Sequence, residues 1–440
     1  MTASKNSLSS PSNRLNKRKI INDPVHGFIT IPCEIIYDLI EHPFYQRLRR
    51  IAQLGLTSYV YPGAVHSRFH HALGAMHLMQ QAIEVLRSKA VEITDEEAEA
   101  VFIAILLHDV GHAPFSHALE YSLLDEVNHE TVSMLFMTRL NEEFGGKLSM
   151  AIEIFENRYH KKFLHQLVSS QLDMDRLDYL TRDSFFTGVQ EGVVGSSRLI
   201  KMLNVHDDEL AVEEKGIYSV EKFLISRRLM YWQVYLHRTV LVAEEMLVKI
   251  LSRAKQLADA GTDLFATSSL KQFLYFNYNE QDFKTKPDLL EAYASLDDND
   301  IWASLKEWKK CHDPILAELS ARVIDRRLLQ IELQNEAFSS AKVEAIKQQV
   351  REQYDLTEEG IGFFVFSGKT SNSAYSLIQD KINILYKNGE VKDIASASDQ
   401  LNIKSLSSPV VKHYLCYPKN LTDIRKILEG ATNPTVNASR

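Results

Sequence analysis

His108 and Asp109 stand side by side where the apolar run Ile105-Leu106-Leu107 stops, and the chain then turns through Gly111 and Pro114 past His112 and His117. An imidazole and a carboxylate at the edge of an apolar segment are unfavourable to bury unless both find partners, and a divalent cation is one such partner. Taken alone, such a pair is usually a helix end with a hydrogen-bonded histidine, and metal ligation the rarer case. Two other stretches favour the cation. Ser67-Arg68-Phe69-His70-His71-Ala72-Leu73-Gly74 offers His71, and Leu172-Asp173-Met174-Asp175-Arg176-Leu177-Asp178-Tyr179 is rich in carboxylates. Imidazoles and carboxylates drawn from three distant segments make a mixed nitrogen and oxygen set, suited to Mn, Mg, Fe, Ni, Co or Zn with positions left open for water and substrate.

Such residues need helices to hold them. Thr94 and Glu97 have the spacing of a capping box, and Ala98, Phe102, Ile105 and Leu106 follow at helical spacing, so His108 and Asp109 fall at the C-terminal end of a buried helix. Ala72, Met76, Met79, Ile83 and Leu86 repeat in the same way, which puts His71 at the start of a core helix with Arg68 just before it. Asp175, Asp178, Tyr179, Arg182 and Asp183 share one polar stripe that can face a cleft; a surface helix laced by Asp178 and Arg182 ion pairs is the competing reading. A further helix is expected from about Val220 to Leu257, apolar through Phe223, Leu224 and Leu247 and polar through Arg227, Tyr231, Tyr235 and His237.

Ahead of these, Ile20 to Ile29 reads as a hairpin broken at Asp23-Pro24 and His26-Gly27. Pro43 opens a helix whose Gln46, Arg47, Arg49 and Arg50 read as a solvated face, with Gly55 as its C-cap. Later, Asp282 to Asp300 reads as a polar connection and Leu316 to Tyr354 as long helical segments. The runs beginning at Gly362, Ile382 and Val410 are strand signals.

A chain of 440 residues exceeds what one hydrophobic core usually organises. Its 45% hydrophobic and 25% charged residues are those of a soluble globular protein, and no apolar run reaches membrane-spanning length. A net charge of -8 argues against a nucleic-acid coat or an anionic membrane surface, while leaving room for a local basic pocket. Cys33, Cys311 and Cys416 lack metal-motif spacing, which fits a reducing cytoplasm.

The segment Asn22-Asp23-Pro24-Val25-His26-Gly27-Phe28-Ile29, together with His71, the His108-Asp109 pair and Asp175, resembles the HD-domain metal phosphohydrolase superfamily. Within it the chain looks like the sterile-alpha-motif-and-HD-domain dNTP triphosphohydrolases and their bacterial relatives, over roughly Lys19 to Tyr235. The resemblance implies a mainly α fold with an HD-domain catalytic core, and with the helical and strand signals above this divides the chain into a disordered basic tail over 1–18, the core with a helical extension over 19–355, a small α+β C-terminal lobe over 356–432 and a loose tail over 433–440. It implies that His71, His108, Asp109 and Asp175 hold the metal, and that His117, Glu120 and His129 handle the proton. By the same likeness Gln53, Leu54, Arg68, His112, Arg176, Tyr179, Asp183, Arg227 and Tyr235 would surround the substrate. Lys19, Ile20, Asn22, Glu41, Gln46 and Arg49 would hold a guanine-nucleotide activator in a homo-oligomer, a dimer or tetramer.

The function so implied is hydrolysis of deoxynucleoside triphosphates to deoxynucleoside and inorganic triphosphate. An HD-type phosphodiesterase or nucleotidase acting on another phosphate ester, and a non-enzymatic nucleotide sensor, are the alternatives.

Overall fold

The computed structural model describes residues 19–116, 119, 122, 124, 127–354, 356–372, 375, 381–399, 409–419 and 421. The expected hairpin is β1 (Ile20–Asp23) paired antiparallel with β2 (Gly27–Thr30), Asp23 lying opposite Gly27. The Asp23 carboxylate accepts the N–H groups of Val25 and His26 at 3.0 and 2.9 Å, which closes the turn. Two short helices follow, α1 (Glu34–Glu41) and α2 (Pro43–Gln46), and Arg47–Arg50 tightens to a 3-10 turn.

The core is built on α3 (Arg68–Ser88), which packs against α4 (Asp95–Leu107) and against the later helix Met174–Thr187. Thr94 and Glu97 cap α4 reciprocally, Glu97 N–H donating to Thr94 Oγ1 at 3.1 Å and Thr94 N–H to Glu97 Oε2 at 2.9 Å. Next come α5 (His129–Glu143), α6 (Ser149–Phe155), α7 (Lys162–Val168) and α8 (Met174–Thr187). Asp173 starts α8 by accepting Arg176 N–H at 2.7 Å, and Gly188 ends it in a left-handed conformation, φ +75°. Gly74 lets α3 and α8 approach this closely: a Cβ there would stand 2.0 Å from Asp178 Oδ1 and 2.2 Å from Arg182 Nη2.

Beyond α9 (Ser196–Met202) and the strands β3 (Leu203–His206) and β4 (Glu209–Glu213), the helix expected over 220–257 is in fact two. α10 (Ile217–Met230) runs into a π turn at Tyr231–Tyr235 and stops, and α11 (Arg238–Asp259) restarts with His237 as its cap, accepting Thr239 N–H at 3.2 Å. A histidine able to cap interrupts a pattern that apolar spacing reads as continuous.

After α12 (Ser268–Tyr275), the aspartate-rich stretch read as a connection is also helical, taking in most of α13 (Glu280–Thr285), α14 (Pro287–Ala294) and the start of α15 (Asp298–Trp308). Asn279 and Asp297 cap α13 and α15, so the acidic residues mark helix starts. The segment 316–354 holds α16 (Pro314–Ile324) and α17 (Ser340–Tyr354) with β5 (Gln330–Gln334) between them, where helix alone was expected. The later strands are β6 (Phe366–Asn372), β7 (Asn383–Leu385), β8 (Val391–Asp393) and β9 (Val410–Tyr417). β9 pairs antiparallel with both β5 and β6, while β7 pairs parallel with β4, so strands near the end of the chain complete sheets begun among the helices. Among the described residues no helix is long and apolar enough to cross a membrane.

Candidate metal centre and active site

Three helix ends meet at one point. His71 comes from the first turn of α3, His108 caps the C-terminus of α4, and Asp175 lies in the first turn of α8. His71 Nε2 is 3.0 Å and His108 Nε2 3.5 Å from the same oxygen, Asp175 Oδ1. Asp109 stands beside them, its Oδ2 3.6 Å from His71 Nε2 and its Oδ1 3.3 Å from His108 Nε2. The four ligands implied by the resemblance therefore converge. His71, His108 and Asp175 form one group with ligating atoms within 4.8 Å of one another, and Asp109 groups with His112 and His129 in an adjoining one.

The donor set fits a divalent cation on its own geometry. His71 Nδ1 lies 2.8 Å from Asp178 Oδ2 and His108 Nδ1 2.6 Å from the carbonyl of Ile105, so each Nδ1 carries the proton and each Nε2 turns its lone pair inward. Both Nε2 atoms are buried, and neither makes a well-directed hydrogen bond despite the nearby carboxylates. The electrostatics agree. Burial alone would lower His71, yet Asp175, Asp178 and Asp109 outweigh it and push the imidazole up to about 10. Burial would likewise raise Asp175, but His108 and His71 hold it well below the usual carboxylate range. A cavity that makes an enclosed imidazole prefer its charged form is short of positive charge, which a divalent ion supplies.

Behind the ligands lies a brace of buried ions. Asp178 takes Arg182 Nε at 2.9 Å and lies 2.6 Å from His26 Nε2, and Arg182 Nη1 donates to Asp23 Oδ2 at 2.8 Å. Asp178 and Arg182 are fully buried, so the reading of this pair as surface decoration is wrong: the pair holds the His71 ring to the hairpin. Arg47, read as part of a solvated face, is fully buried too. It donates to the carbonyls of Val110, His112 and Leu296 at 2.9, 3.0 and 3.1 Å and so fixes the turn that carries Asp109. Asp298 accepts the N–H groups of Ala52 and Phe115 at 2.9 and 2.7 Å, from within the stretch read as a connection. Nothing in local spacing marks these partners, because each is distant in sequence from what it holds.

A cavity of about 430 Å³ opens from the metal group. Of the residues expected around substrate, Gln53, Leu54, Arg68, His112, Arg176, Tyr179, Asp183 and Tyr235 line it, as does His129. Arg227 is not in its wall and stands with its guanidinium 5.9 Å from the ring centroid of Tyr231. Arg68 binds Asp109 and donates from Nε to Ser116 Oγ at 2.8 Å. That hydroxyl is aimed by left-handed backbone at Phe115 and Ser116, with φ of 56° and 57°. Arg176 donates to the Ser170 carbonyl at 2.6 Å, and Asp183 is held between His66 and the Tyr235 hydroxyl, each at 2.8 Å. The π turn brings Tyr231 and Tyr235 to the same cavity. His129 stacks near His112 with ring centroids 4.0 Å apart; His117 and Glu120 lie outside the described residues.

A second cavity of about 360 Å³ lies under the hairpin and is lined by Lys19, Ile20, Asn22, Glu41 and Arg49 among others. Gln46 stands just behind it, accepting Arg49 Nε at 2.8 Å and donating to the Ile40 carbonyl at 2.7 Å.

Histidines and aspartates delivered by helix ends to the mouth of a polar cavity define a helical metal phosphohydrolase, and the comparisons agree. Residues 68–183 match the HD domain and residues 194–273 the HD associated region. The chain is 32% identical to the uncharacterized protein YwfO of Bacillus subtilis over 96% of both chains. The crystal structure of a phosphohydrolase from Bacteroides thetaiotaomicron is 52% identical, covers 92% of this chain and 100% of its own, and superposes with a TM-score of 0.88. This chain belongs to the HD-domain phosphohydrolase family. It is also 33% identical to the deoxynucleoside triphosphate triphosphohydrolase SAMHD1 homolog of Dictyostelium discoideum, over 56% of this chain and 51% of that protein, so it spans about half of that relative's length.

Proposed function

We propose that this protein hydrolyses deoxynucleoside triphosphates to deoxynucleoside and inorganic triphosphate. The observation that carries the reading is a single cavity whose wall brings together Asp109 and Asp175 of the metal group, the cations Arg68 and Arg176, and Asp183 with Tyr179 and Tyr235. A divalent ion bound by His71, His108, Asp109 and Asp175 would supply Lewis-acid polarisation of a phosphoryl oxygen and an activated water. Arg68 and Arg176 offset the charge of the polyphosphate, Arg68 with its guanidinium already oriented by Asp109 and Ser116. Tyr179, Asp183 and Gln53 frame the sugar, and Asp183 is aimed by His66 and Tyr235. Attack of water at the α-phosphorus breaks the bond to the 5′ oxygen of the sugar, which needs a proton. His129, beside His112, is the described residue suited to deliver it, in the group expected to include His117 and Glu120.

The cavity under the hairpin supports nucleotide activation, with Lys19 and Arg49 as phosphate ligands, Glu41 and Asn22 toward the base, and the pocket completed in a homo-oligomer. Three free cysteines fit a cytoplasmic setting.

The test is an assay of the purified chain with each dNTP, in Mn, Mg, Fe, Ni, Co or Zn, with and without GTP, resolving products by chromatography. Deoxynucleoside with inorganic triphosphate is the expected outcome. Nucleoside monophosphate or orthophosphate would assign the site to a phosphodiesterase or nucleotidase, and assembly on nucleotide without turnover would make the protein a sensor.

A further inference from the structure

Glu244 lines the catalytic cavity, and neither the fold nor the reaction proposed above uses it. It belongs to α11, whose buried face is otherwise apolar through Leu241, Met246, Leu247 and Ile250. Its neighbour Glu245 is bonded to the Tyr414 hydroxyl of β9. Glu244 has no such anchor: among the described residues no hydrogen bond or ion pair reaches its carboxyl. Burial, and then the charge of Glu245, push that carboxyl up to about 8, with no cation of the metal end near enough to offset them. The chain also leaves the group room. Gly55 faces it in a left-handed conformation, φ +48°, and a Cβ there would come within 3.3 Å of Glu244 Oε1.

Glu244 is half-buried, so its carboxyl meets water in the open cavity and can exchange that water for a donor on a ligand. What that donor can be follows from the position of the carboxyl. A carboxyl beside a triphosphate would repel it, whereas neither Arg68 nor Arg176 is among the groups that act on the Glu244 carboxyl, which lines the cavity at Gly55 and is there offered to an uncharged part of the ligand.

We propose that Glu244 selects among nucleotides by their bases, its carboxyl accepting the exocyclic amine of adenine, cytosine or guanine. The inference rests on the nucleotide reading of the cavity. In the acid form the carboxyl also donates to the ring nitrogen beside the amine of adenine or cytosine, and as carboxylate it takes both donors of guanine's edge. Thymine has no amine and presents carbonyl oxygens on both sides of its one N–H. A directed hydrogen bond of this kind separates substrates by roughly tenfold or more.

The experiment measures kcat/KM for dATP, dCTP, dGTP and dTTP, each alone, on wild type, Glu244→Leu and Glu244→Gln, with manganese-induced thermal stabilisation as the check that fold and metal site persist. In wild type the amino-bearing nucleotides are expected to exceed dTTP by about tenfold. In Glu244→Leu they fall to within about twofold of dTTP, and Glu244→Gln, whose amide oxygen still accepts, retains an intermediate preference. Three results overturn the proposal: no discrimination in wild type, ratios unchanged in the leucine variant, or an equal loss on all four nucleotides, which marks a structural role. Wild type that cleaves none of the four under any metal takes down the nucleotide reading itself, an outcome distinct from cleavage with unchanged ratios.

Discussion

The metal end of the catalytic cavity and the cavity under the hairpin are both rich in charge, yet they are built on opposite plans. At the metal end three of the four ligands are fixed from behind: His71 by Asp178, His108 by the Ile105 carbonyl, and Asp109 by Arg68. Under the hairpin the cations rest on rings, Lys19 Nζ 3.1 Å from the Tyr37 centroid and the Arg49 guanidinium 3.6 Å from that of Phe69. Among the described residues neither pairs with a carboxylate. A ring face is a weaker partner than a phosphate, so these cations can leave it for an anionic ligand at small cost. Rigid bracing suits a site that must present a fixed geometry to a reaction, and loosely held cations suit a site that closes on what it binds. The two regions are joined, because Asp23 lines the hairpin cavity and grips Arg182, which grips Asp178.

The largest effect is expected where the plan is most rigid. His108→Ala or Asp175→Ala removes turnover by at least about a thousandfold, the scale on which single members of a catalytic unit act. It is also expected to remove the rise in melting temperature that a bound divalent ion would give the wild type, read with manganese. Either variant retaining full activity and full metal stabilisation would show that these helix ends do not form the centre.

Next comes the brace. Asp178→Asn keeps the shape but leaves the buried Arg182 with only Asp23 to balance it, so stability falls by about 3–5 kcal/mol, the cost of breaking a buried ion pair. Metal affinity falls roughly tenfold to a hundredfold as the His71 ring loses its charged acceptor. Chemical denaturation and metal titration read the two effects separately, and unchanged metal affinity would reduce Asp178 to a purely structural role.

How legible this plan is in the sequence depends on how far apart its partners lie. The capping box of Thr94 and Glu97, the helix carrying His71 and the polar stripe of α8 depend on neighbours within a turn, and they read directly from spacing. The convergence of His71, His108, Asp109 and Asp175 does not follow from local periodicity; the family resemblance supplied it. Arg47 illustrates what spacing misleads about, since Gln46, Arg47, Arg49 and Arg50 crowded around a single leucine suggest solvent while one of them reaches carbonyls 63, 65 and 249 residues away. His26 and Asp298 were hidden for the same reason. The break at His237 was legible in principle, a side chain able to cap placed after a run of aromatics, but continuous apolar spacing outweighed it.

Under the hairpin the expected effect is smaller and conditional on ligand. Arg49→Ala removes one phosphate-binding cation and releases the Gln46 side chain, so nucleotide stimulation is lost and nucleotide-dependent assembly weakens. Light scattering and rates with and without GTP measure both; stimulation equal to wild type would count against the loosely held site as an activator pocket.

The smallest effect concerns Glu244, which shares with Lys19 and Arg49 the lack of a charged partner but sits in the rigid cavity. Burial and Glu245 raise its carboxyl from 4.5 to about 8. The unfolded chain therefore gives up this proton near pH 4.5 while the folded chain keeps it until about 8, so the folded state binds more protons between those values. Stability linked to this group is complete below pH 4.5 and declines as pH rises toward 8. Asp298, raised to about 6 by burial, pulls in the same direction but is present in both proteins compared. Glu244→Gln does not titrate, so its melting temperature relative to wild type is expected to climb by a few degrees from pH 5 to pH 8 without ligand. Parallel melting curves across that range would mean that the carboxyl is satisfied by the protein after all, and the contrast between braced and waiting groups would then hold only between the two cavities and not within the first.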